Sequence, residues 1–364
     1  MHLSLKIFNP CWAFDVAKDW GITAAHAELD QVMQEPFKIA AVPVLWDRAD
    51  NFVNSDNLPD VPMNEFDLVV LSDIESYTAS EIYNWIAEKN IGSYVVAVGA
   101  KSNNVPVNES CMIYRPWWMY NLMRMNQFRS TDSQSKSFVF DALLGTRRPH
   151  RDYVMLAMQK HAQLLNNSIV TYRDVFTGGF VDQNSQHSAE CFPDQQLDWP
   201  YVSSNLDPEW EVTDRIEKNI SPFLPYKIYQ RTWFTVVCET LNTSTQFFLT
   251  EKTSKPLFAK RLFVVFGPRL HLKNLRDLGF KTFDSVIDEE YDLIELDSER
   301  YQQAFNQLLS LSQQDPRQVL DKVSDILEHN HNRMWQLQQE TQSKMKELLL
   351  ERLPQQYIIS AAVV

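Results

Sequence analysis

The first third of the chain alternates short apolar runs with a stretch of helical periodicity. Residues 66–71 and 93–98 form two such runs, rich in β-branched side chains, and the segment 78–90 between them repeats its apolar positions at helical spacing. Apolar runs that flank an amphipathic helix are typical of parallel β-α-β units. A further run at 39–45 predicts another strand. We therefore expect an α/β domain in this part of the chain.

The same alternation resumes after a polar segment at 130–136, whose composition favours exposed chain and predicts an interdomain linker. The elements predicted beyond it are, in order, a strand at 138–144, a turn at Gly145-Thr146, a helix at 149–161 that begins with proline, a strand at 168–172, a loop at 173–222, a strand at 233–238, a helix at 250–260, a strand at 262–266 and a helix at 270–278 closed by Gly279. Two tandem α/β halves follow from this pattern.

The last part of the chain, residues 298–353, is rich in Gln, Leu, Lys and Glu and predicts helices with an interruption near Asp315-Pro316. Its apolar residues recur as a helical stripe, which predicts helices packed on the two halves, with an intermolecular coiled coil as the alternative. The predicted domains are therefore 1–130, 131–296 and a helical segment at 297–364.

Composition and charge narrow the classes of function. The chain has 364 residues, of which 44% are hydrophobic and 22% are charged, as in ordinary globular proteins. Its 47 acidic and 34 basic side chains give a formal net charge of −13, so we expect no nucleic-acid partner. The four cysteines have no metal-ligand or disulfide spacing. The charged residues near the start of the chain predict no signal peptide there, and no window is apolar enough to predict a bilayer-spanning helix, so we expect a cytoplasmic protein without an integral membrane segment.

Several common catalytic motifs are absent from the sequence. The chain has only 8 glycines, and it contains no G-x-G-x-x-G, no P-loop, no G-x-S-x-G and no H-E-x-x-H. The usual signatures of dinucleotide binding, of P-loop ATPases, of α/β-hydrolases and of zinc proteases are therefore missing.

Two basic clusters stand out against the acidic background. The first is the run Arg147-Arg148-Pro149-His150-Arg151, which lies where a predicted strand gives way to a helix. Ligands of open α/β sheets bind beyond the carboxyl ends of strands, where arginines can clamp a diphosphate. The second is Thr250-Glu251-Lys252-Thr253-Ser254-Lys255, in which Thr250 is a candidate N-cap. The alternatives are surface arginines paired with acids in the first cluster and a capped helix with exposed charges in the second.

Together with its surroundings, the second cluster resembles the donor-binding motif of the α1,3-fucosyltransferase family. The matching pieces are Tyr226-Lys227, then Val236-Val237-Cys238-Glu239, then Phe248-Leu249-Thr250-Glu251-Lys252, and finally the strand and break 262–268. The chain differs from the family pattern at Thr240 and over 253–256. The resemblance therefore implies a nucleotide-sugar donor more directly than it implies GDP-fucose, and a UDP or CMP donor stays open.

The resemblance implies two Rossmann-like domains of the GT-B type, with the donor on the carboxy-terminal domain and the acceptor mainly on the amino-terminal one. It implies that Glu251 binds the ribose and that Lys252 binds the diphosphate, as one of Arg147 and Arg148 also does. It also implies that Tyr226, Lys227 and Glu239, with the adjacent Thr250, line the donor site. Cationic side chains would stabilise the leaving diphosphate, so no metal or other cofactor is expected.

Inverting transfer also needs a general base that accepts the proton of the acceptor hydroxyl. Asp73 and Glu75 follow the strand that ends at Leu71 and are our candidates, with His150 as a further one. The sequence thus predicts a glycosyltransferase that moves a sugar from a nucleotide-diphosphate sugar to a carbohydrate acceptor. The alternatives are a noncatalytic binding or scaffold protein that uses its C-terminal helices, and an epimerase of the same architecture. The oligomeric state stays open.

Overall fold

A computed structural model describes residues 3–7, 37–44, 63–73, 79–102, 112–114, 116–131, 136–146, 148–173, 202–204, 223–241 and 246–352. The chain forms two compact units: the first comprises residues 1–117 and 336–364, and the second comprises residues 118–335. Compact units and folding domains are different divisions of a chain, so the domain limits given above stay predictions.

The described strands and helices follow one another in an α/β sequence. The strands are β1 (Leu3–Ile7), β2 (Phe37–Val44), β3 (Leu68–Asp73), β4 (Tyr94–Val98), β5 (Ala100–Ser102), β6 (Met112–Tyr114), β7 (Phe138–Thr146), β8 (Ser168–Arg173), β9 (Val202–Ser204), β10 (Thr232–Cys238), β11 (Gln246–Phe248) and β12 (Phe263–Phe266). The helices are α1 (Ala79–Glu88), α2 (Trp117–Met125), α3 (Pro149–Lys160), α4 (Ala162–Asn166), α5 (Tyr226–Tyr229), α6 (Glu251–Phe258), α7 (His271–Asp277), α8 (Asp297–Ser312) and α9 (Pro316–Leu350). Mixed α/β structure with C-terminal helices is confirmed.

The sheet of the first unit has the order β1-β2-β3-β4-β6, and all of its neighbouring strands are parallel. Among its described strands, therefore, each new strand is added on the same side of the previous one. Residues Leu68–Leu71 of β3 are fully buried and Val95–Ala97 of β4 nearly so, as are Trp85 and Ile86 of α1. The β-branched apolar runs found in the sequence thus form the interior of this sheet.

The sheet of the second unit has the order β12-β10-β7-β8-β9. Its first four strands are parallel, and β9 is antiparallel to β8. The chain runs from β7 through α3 to β8 on one side, and later from β10 through α6 to β12 on the other side. The direction of strand addition therefore reverses between β7 and β10, which we call the reversal point.

Two sequence predictions for the second unit were wrong. Gly145 and Thr146 continue β7 with a register shift against β8 instead of forming a turn, because the bulge lets the strand extend beyond its apolar run. Residues 202–204 form β9 inside the segment predicted as loop, since pairing with β8 stabilises a strand too short to show periodicity. The rest of that segment lies outside the described residues.

The core of this sheet contains a buried ion pair. Asp141 of β7 and Arg261, which precedes β12, are joined by a bond of 2.7 Å between Oδ1 and Nη2, and both side chains are 1% exposed. All five N–H groups of Arg261 donate, and the other acceptors are Thr235 Oγ1, Thr232 Oγ1 and the carbonyls of Tyr229 and Thr232. Burial raises the pKa of Asp141 even though Arg261 and two threonine hydroxyls act against the shift. The pair ties β7, β10 and the end of α6 together.

The C-terminal helices begin and end as their sequence predicts. Pro316 is the first residue of α9, at the predicted interruption. Val323, Leu327, His331, Met334 and Leu337 of the predicted stripe are buried. Arg352 lies just after the end of α9, in the first unit. Its Nε donates a hydrogen bond of 2.9 Å to the carbonyl of Tyr94.

Candidate functional site

The two basic clusters of the sequence meet at the reversal point, beyond the carboxyl ends of β7 and β10. Pro149 begins α3 directly after Arg148, the N-cap residue, and Glu239 follows β10. His150 Nε2 lies 2.7 Å from the carbonyl oxygen of Glu239. We call this group of side chains the reversal-point cluster; it comprises Arg148, His150, Arg151, Glu239, Thr240, Thr250, Glu251, Lys252, Thr253, Lys255 and His271.

Glu239 anchors the first turn of α6 to the end of β10. Its Oε2 accepts bonds from Thr250 Oγ1 at 2.5 Å and from the N–H of Thr240 at 3.0 Å. Its Oε1 accepts from the hydroxyl and the N–H of Thr253. The carboxylate is fully buried and every contact is a donor of the chain itself. Glu239 is therefore a positioning residue, and its negative charge lies at the helix N-terminus, where the macrodipole stabilises it.

Thr250 is the N-cap of α6, as its sequence predicts. Its hydroxyl accepts from the N–H of Lys252 at 3.2 Å, and its carbonyl accepts from Ser254 Oγ at 2.7 Å. Two N–H groups in the first turn of α6, those of Lys252 and Thr253, are therefore bonded to Thr250 and Glu239. The Glu239 carboxylate therefore offsets part of the positive potential at this end of the helix.

Hydrogen bonding fixes the tautomers of two buried histidines. A carbonyl only accepts, so His150 Nε2 carries a proton in the neutral ring and Nδ1 is unprotonated; Nδ1 is buried and has no partner in the part of the chain that the structure describes. Thr253 donates its hydroxyl proton to Glu239, so His271 Nε2 donates to Thr253 Oγ1 across 3.2 Å. Burial lowers the pKa of both rings, and the cations of Arg151, Arg148 and Lys252 lower that of His150 further. Both rings are therefore neutral.

Arg151 lies between the ends of the two strands. Its Nη2 donates long bonds of 3.5 and 3.4 Å to the carbonyls of Cys238 and Glu239, and its Nη1 approaches Gly145 of β7. Burial, followed by the charge of Arg148, lowers the pKa of Arg151 to about 10, so it stays protonated at neutral pH. Two guanidinium groups thus bring positive charge to the start of α3.

Glu251 and Lys252 form an ion pair in the first turn of α6, in which Glu251 is buried and Lys252 is half-buried. Lys252 Nζ donates to Glu251 Oε1 at 2.6 Å and to Thr240 Oγ1 at 2.9 Å. Burial acts to raise the pKa of Glu251, but the ammonium groups of Lys252 and Lys255 outweigh it and the pKa lies below its ordinary value. Glu251 is therefore an ionised acceptor, suited to hydroxyl groups of a ligand.

Tyr226 and Lys227 do not join this cluster, although the sequence motif includes them. They belong to α5, which leads into the amino end of β10, whereas the cluster follows its carboxyl end. Seven strand residues separate the two ends by about 20 Å. The hydroxyl of Tyr226 donates to the carbonyl of Gln127 at 2.6 Å, and Lys227 is exposed. Tyr226 and Lys227 are therefore close to Glu239 in the sequence but lie at the opposite edge of the sheet.

The remaining predicted residues are only partly described. Arg148 is half-buried beside Arg151, whereas Arg147 lies outside the described residues. Asp73 is the last residue of β3 in the first unit, where its backbone pairs with β2 and β4. The side chain of Asp73 and the whole of Glu75 lie outside the described part of the chain. The general base therefore stays a prediction.

Sequence reasoning gave no role at the site to three members of the cluster, although Thr253 and Lys255 belong to the second basic cluster. Thr253 shares the bonding of Glu239 with Thr250, and the spacing of three residues between the two threonines was the available signal. His271 has no metal-ligand spacing in the sequence, and the structure places its Nε2 3.2 Å from Thr253 Oγ1. Lys255 follows Glu251 by four residues and Lys252 by three, which places all three on one face of α6.

A cavity of about 360 Å³ lies elsewhere in the second unit. Its lining includes Val139 at the start of β7, and it contains no acid, lysine or arginine. In the part of the chain that the structure describes, no group of histidine, cysteine and acidic side chains has the arrangement of a metal site. Within the same residues, no helix has the length and apolar character needed to cross a bilayer.

Comparison with known proteins adds no assignment to this geometry. No protein-family model, no curated protein and no solved structure matches the chain. The function must therefore be argued from the residues of the site.

Proposed function

We propose that this chain is a glycosyltransferase that moves a sugar from a nucleotide-diphosphate sugar to a carbohydrate acceptor. One observation carries the proposal. Glu239, Thr250, Glu251 and Lys252, the residues that resemble the fucosyltransferase donor motif, lie together with Arg148 and Arg151 at the reversal point of a parallel sheet. In open α/β sheets, the carboxyl edge at such a point is where ligands bind.

The fold is compatible with this activity. The order β9-β8-β7-β10-β12 reverses once, as in doubly wound nucleotide-binding sheets, although β9 is antiparallel. We propose that the second unit is the Rossmann-like donor half of a GT-B enzyme and that the first unit binds the acceptor. A cytoplasmic location is part of the same proposal.

Different side chains of the cluster bind different parts of the donor. The ionised Glu251 accepts hydrogen bonds from the ribose hydroxyls, while Lys252 and Arg148 face the diphosphate. Positive charges fixed in advance near a leaving diphosphate stabilise the charge that develops in the transition state. Glu239 holds α6 in place and does not bind the ligand. We further propose that transfer inverts the anomeric centre and needs no metal. Asp73 or Glu75 would act as the general base.

The proposal predicts that the full chain binds one nucleoside diphosphate without magnesium. Calorimetry with GDP, UDP, CDP, CMP and ADP, each with and without Mg²⁺, identifies it, and GDP is our first expectation. Lys252→Ala removes a charged hydrogen bond worth about 1.5–3 kcal/mol, so affinity should fall roughly 10- to 100-fold. The matched control is Lys273→Ala, which removes an exposed lysine of α7 and should leave affinity unchanged.

The outcomes separate the alternatives. If none of these nucleotides binds, the proposal fails and a noncatalytic binding protein that uses its C-terminal helices takes its place. If a nucleotide binds, the corresponding nucleotide sugars are assayed with and without a glycan acceptor. Conversion of the nucleotide sugar that leaves the nucleotide attached would indicate an epimerase and contradict transferase activity.

A further inference from the structure

The reversal-point cluster has more basic than acidic side chains. Arg148, Arg151, Lys252 and Lys255 are its cations, and Glu239 and Glu251 are its carboxylates. The nearby Asp152 is bound on the β8 side, where it accepts from the hydroxyl of Tyr172 at 2.6 Å. This excess of positive charge is partly buried in a chain whose net charge is −13. A partly buried excess of cations favours an anionic ligand.

The acidic groups of the cluster are already occupied. Glu239 is saturated by Thr240, Thr250 and Thr253. Glu251 is bound to Lys252, which has a second acceptor in Thr240 Oγ1. Two of the three ammonium protons of Lys252 are therefore in use before any ligand arrives.

Lys255 is the cation of the cluster that takes no part in the bonds of Glu239 and Glu251. It is half-buried on α6 and makes no hydrogen bond and no ion pair with the described residues. Side chains of a helix lean toward its N-terminus, so the stem of Lys255 extends along the turn that carries Glu251 and Lys252. The charged groups that act on it are those of Glu251 and Lys252.

The protonation of Lys255 is consistent with a missing partner. Burial lowers the pKa of its ammonium to about 8; the Lys252 ammonium acts in the same direction and the Glu251 carboxylate against it. An anion that binds at this position would favour the charged form and raise the pKa again. Binding above pH 8 would then be accompanied by proton uptake.

We propose that Lys255 is a ligand-binding residue whose ammonium contacts a phosphate group of an anionic ligand at the reversal point. The inference rests on the proposed function in naming that ligand as a nucleoside diphosphate or its sugar ester. It adds to Lys252 and Arg148 a contact for which the motif resemblance provides no role. Two lysines then act on the carboxylate of Glu251. Lys252 forms an ion pair with it, and Lys255 binds the ligand.

The test is calorimetry of the full chain with GDP, UDP, ADP and inorganic pyrophosphate at pH 8.5, in two buffers of different ionisation enthalpy. With a free pKa of about 8 and a bound pKa of 10 or more, Lys255 should take up about 0.7 proton per nucleoside diphosphate bound. Lys255→Met should weaken binding about tenfold or more and abolish the uptake. Lys255→Arg, which stays charged at this pH, should bind within a few fold of the native chain without uptake.

Each outcome decides between this inference and the proposed function. A nucleoside diphosphate that binds without proton uptake and equally well to Lys255→Met overturns the inference and leaves the proposed function standing. Pyrophosphate binding that depends on Lys255, with no nucleotide bound, supports the inference and contradicts the proposed function. Absence of binding by all four probes overturns both. Lys255→Met removes an unpaired charge, so a thermal melt should show a chain at least as stable as the native one.

Discussion

The two parallel sheets of this protein differ in what their interior strands contain. In the first unit, the described side chains of β3 and β4 are apolar and buried except for the half-buried Tyr94, and strands are added in one direction. In the second unit, the direction reverses between β7 and β10, and the same two strands contain Asp141, Thr232 and Thr235 in the core. Polar groups lie along both strands and beyond their carboxyl ends.

The difference shows how polar side chains are tolerated inside a parallel sheet. Each buried polar group of β7 and β10 is bonded to partners from other elements, so none is isolated. The resulting networks hold α3 and α6 at fixed positions on the reversal point. Removing a member should therefore be costly in the second unit, whereas the first unit should respond only to changes in packing.

The largest effect is expected from the buried ion pair. Arg261→Met leaves the Asp141 carboxyl buried without its cation and should lower the free energy of unfolding by about 3–5 kcal/mol. Arg261→Lys keeps the charge but loses donors, so its cost should be about half as large. Urea denaturation measures both variants. A loss below about 1 kcal/mol for the methionine variant would contradict the anchoring role of this pair.

A smaller effect is expected from the carboxylate that anchors α6. Glu239→Ala leaves two threonine hydroxyls and two backbone N–H groups without their acceptor, and should cost about 2–4 kcal/mol. The control is Glu328→Ala, because Glu328 forms an exposed ion pair with Lys260 and should cost about 0.5 kcal/mol or less. Equal losses in chemical denaturation of the two variants would show that the Glu239 network contributes no special stability.

The smallest effect is expected in the first unit. Trp85 of α1 is buried, and its indole N–H has no hydrogen-bond partner among the described residues. Trp85→Phe removes that unsatisfied donor along with some packing volume, so the two changes partly cancel and the net cost should be about 1 kcal/mol or less. A loss of several kcal/mol in the same denaturation assay would mean that polar contacts matter equally in both units.

Elements with a local cause could be predicted from sequence. The apolar runs of β3, β4, β10 and β12 predict their strands, and Thr250 predicts the start of α6. Gly279 predicts the end of α7, where its φ is 86° and a β-carbon would lie 2.6 Å from Arg333 Nε. These features depend on residues that are close together in the chain.

Features that depend on distant residues could not be predicted. The motif placed Tyr226 and Lys227 with Glu239, because spacing does not show that a strand separates them. It did not show that Glu239 is bonded to Thr250 and Thr253, because these bonds exist only after α6 has folded back onto β10. The adjacency of β7 and β10, on which the whole site depends, has no local signal in the sequence.

The reversal of strand order also bears on how the protein folds. The pairing of Phe140 with Phe234 closes a loop of 94 residues, whereas the pairing of Val69 with Tyr94 closes one of 25. The longer loop costs about 1 kcal/mol more in closure entropy, and contacts so far apart in sequence form slowly. We therefore expect the junction of β7 and β10 to form late, after β3 and β4 have paired, so the candidate site becomes competent only near the end of folding.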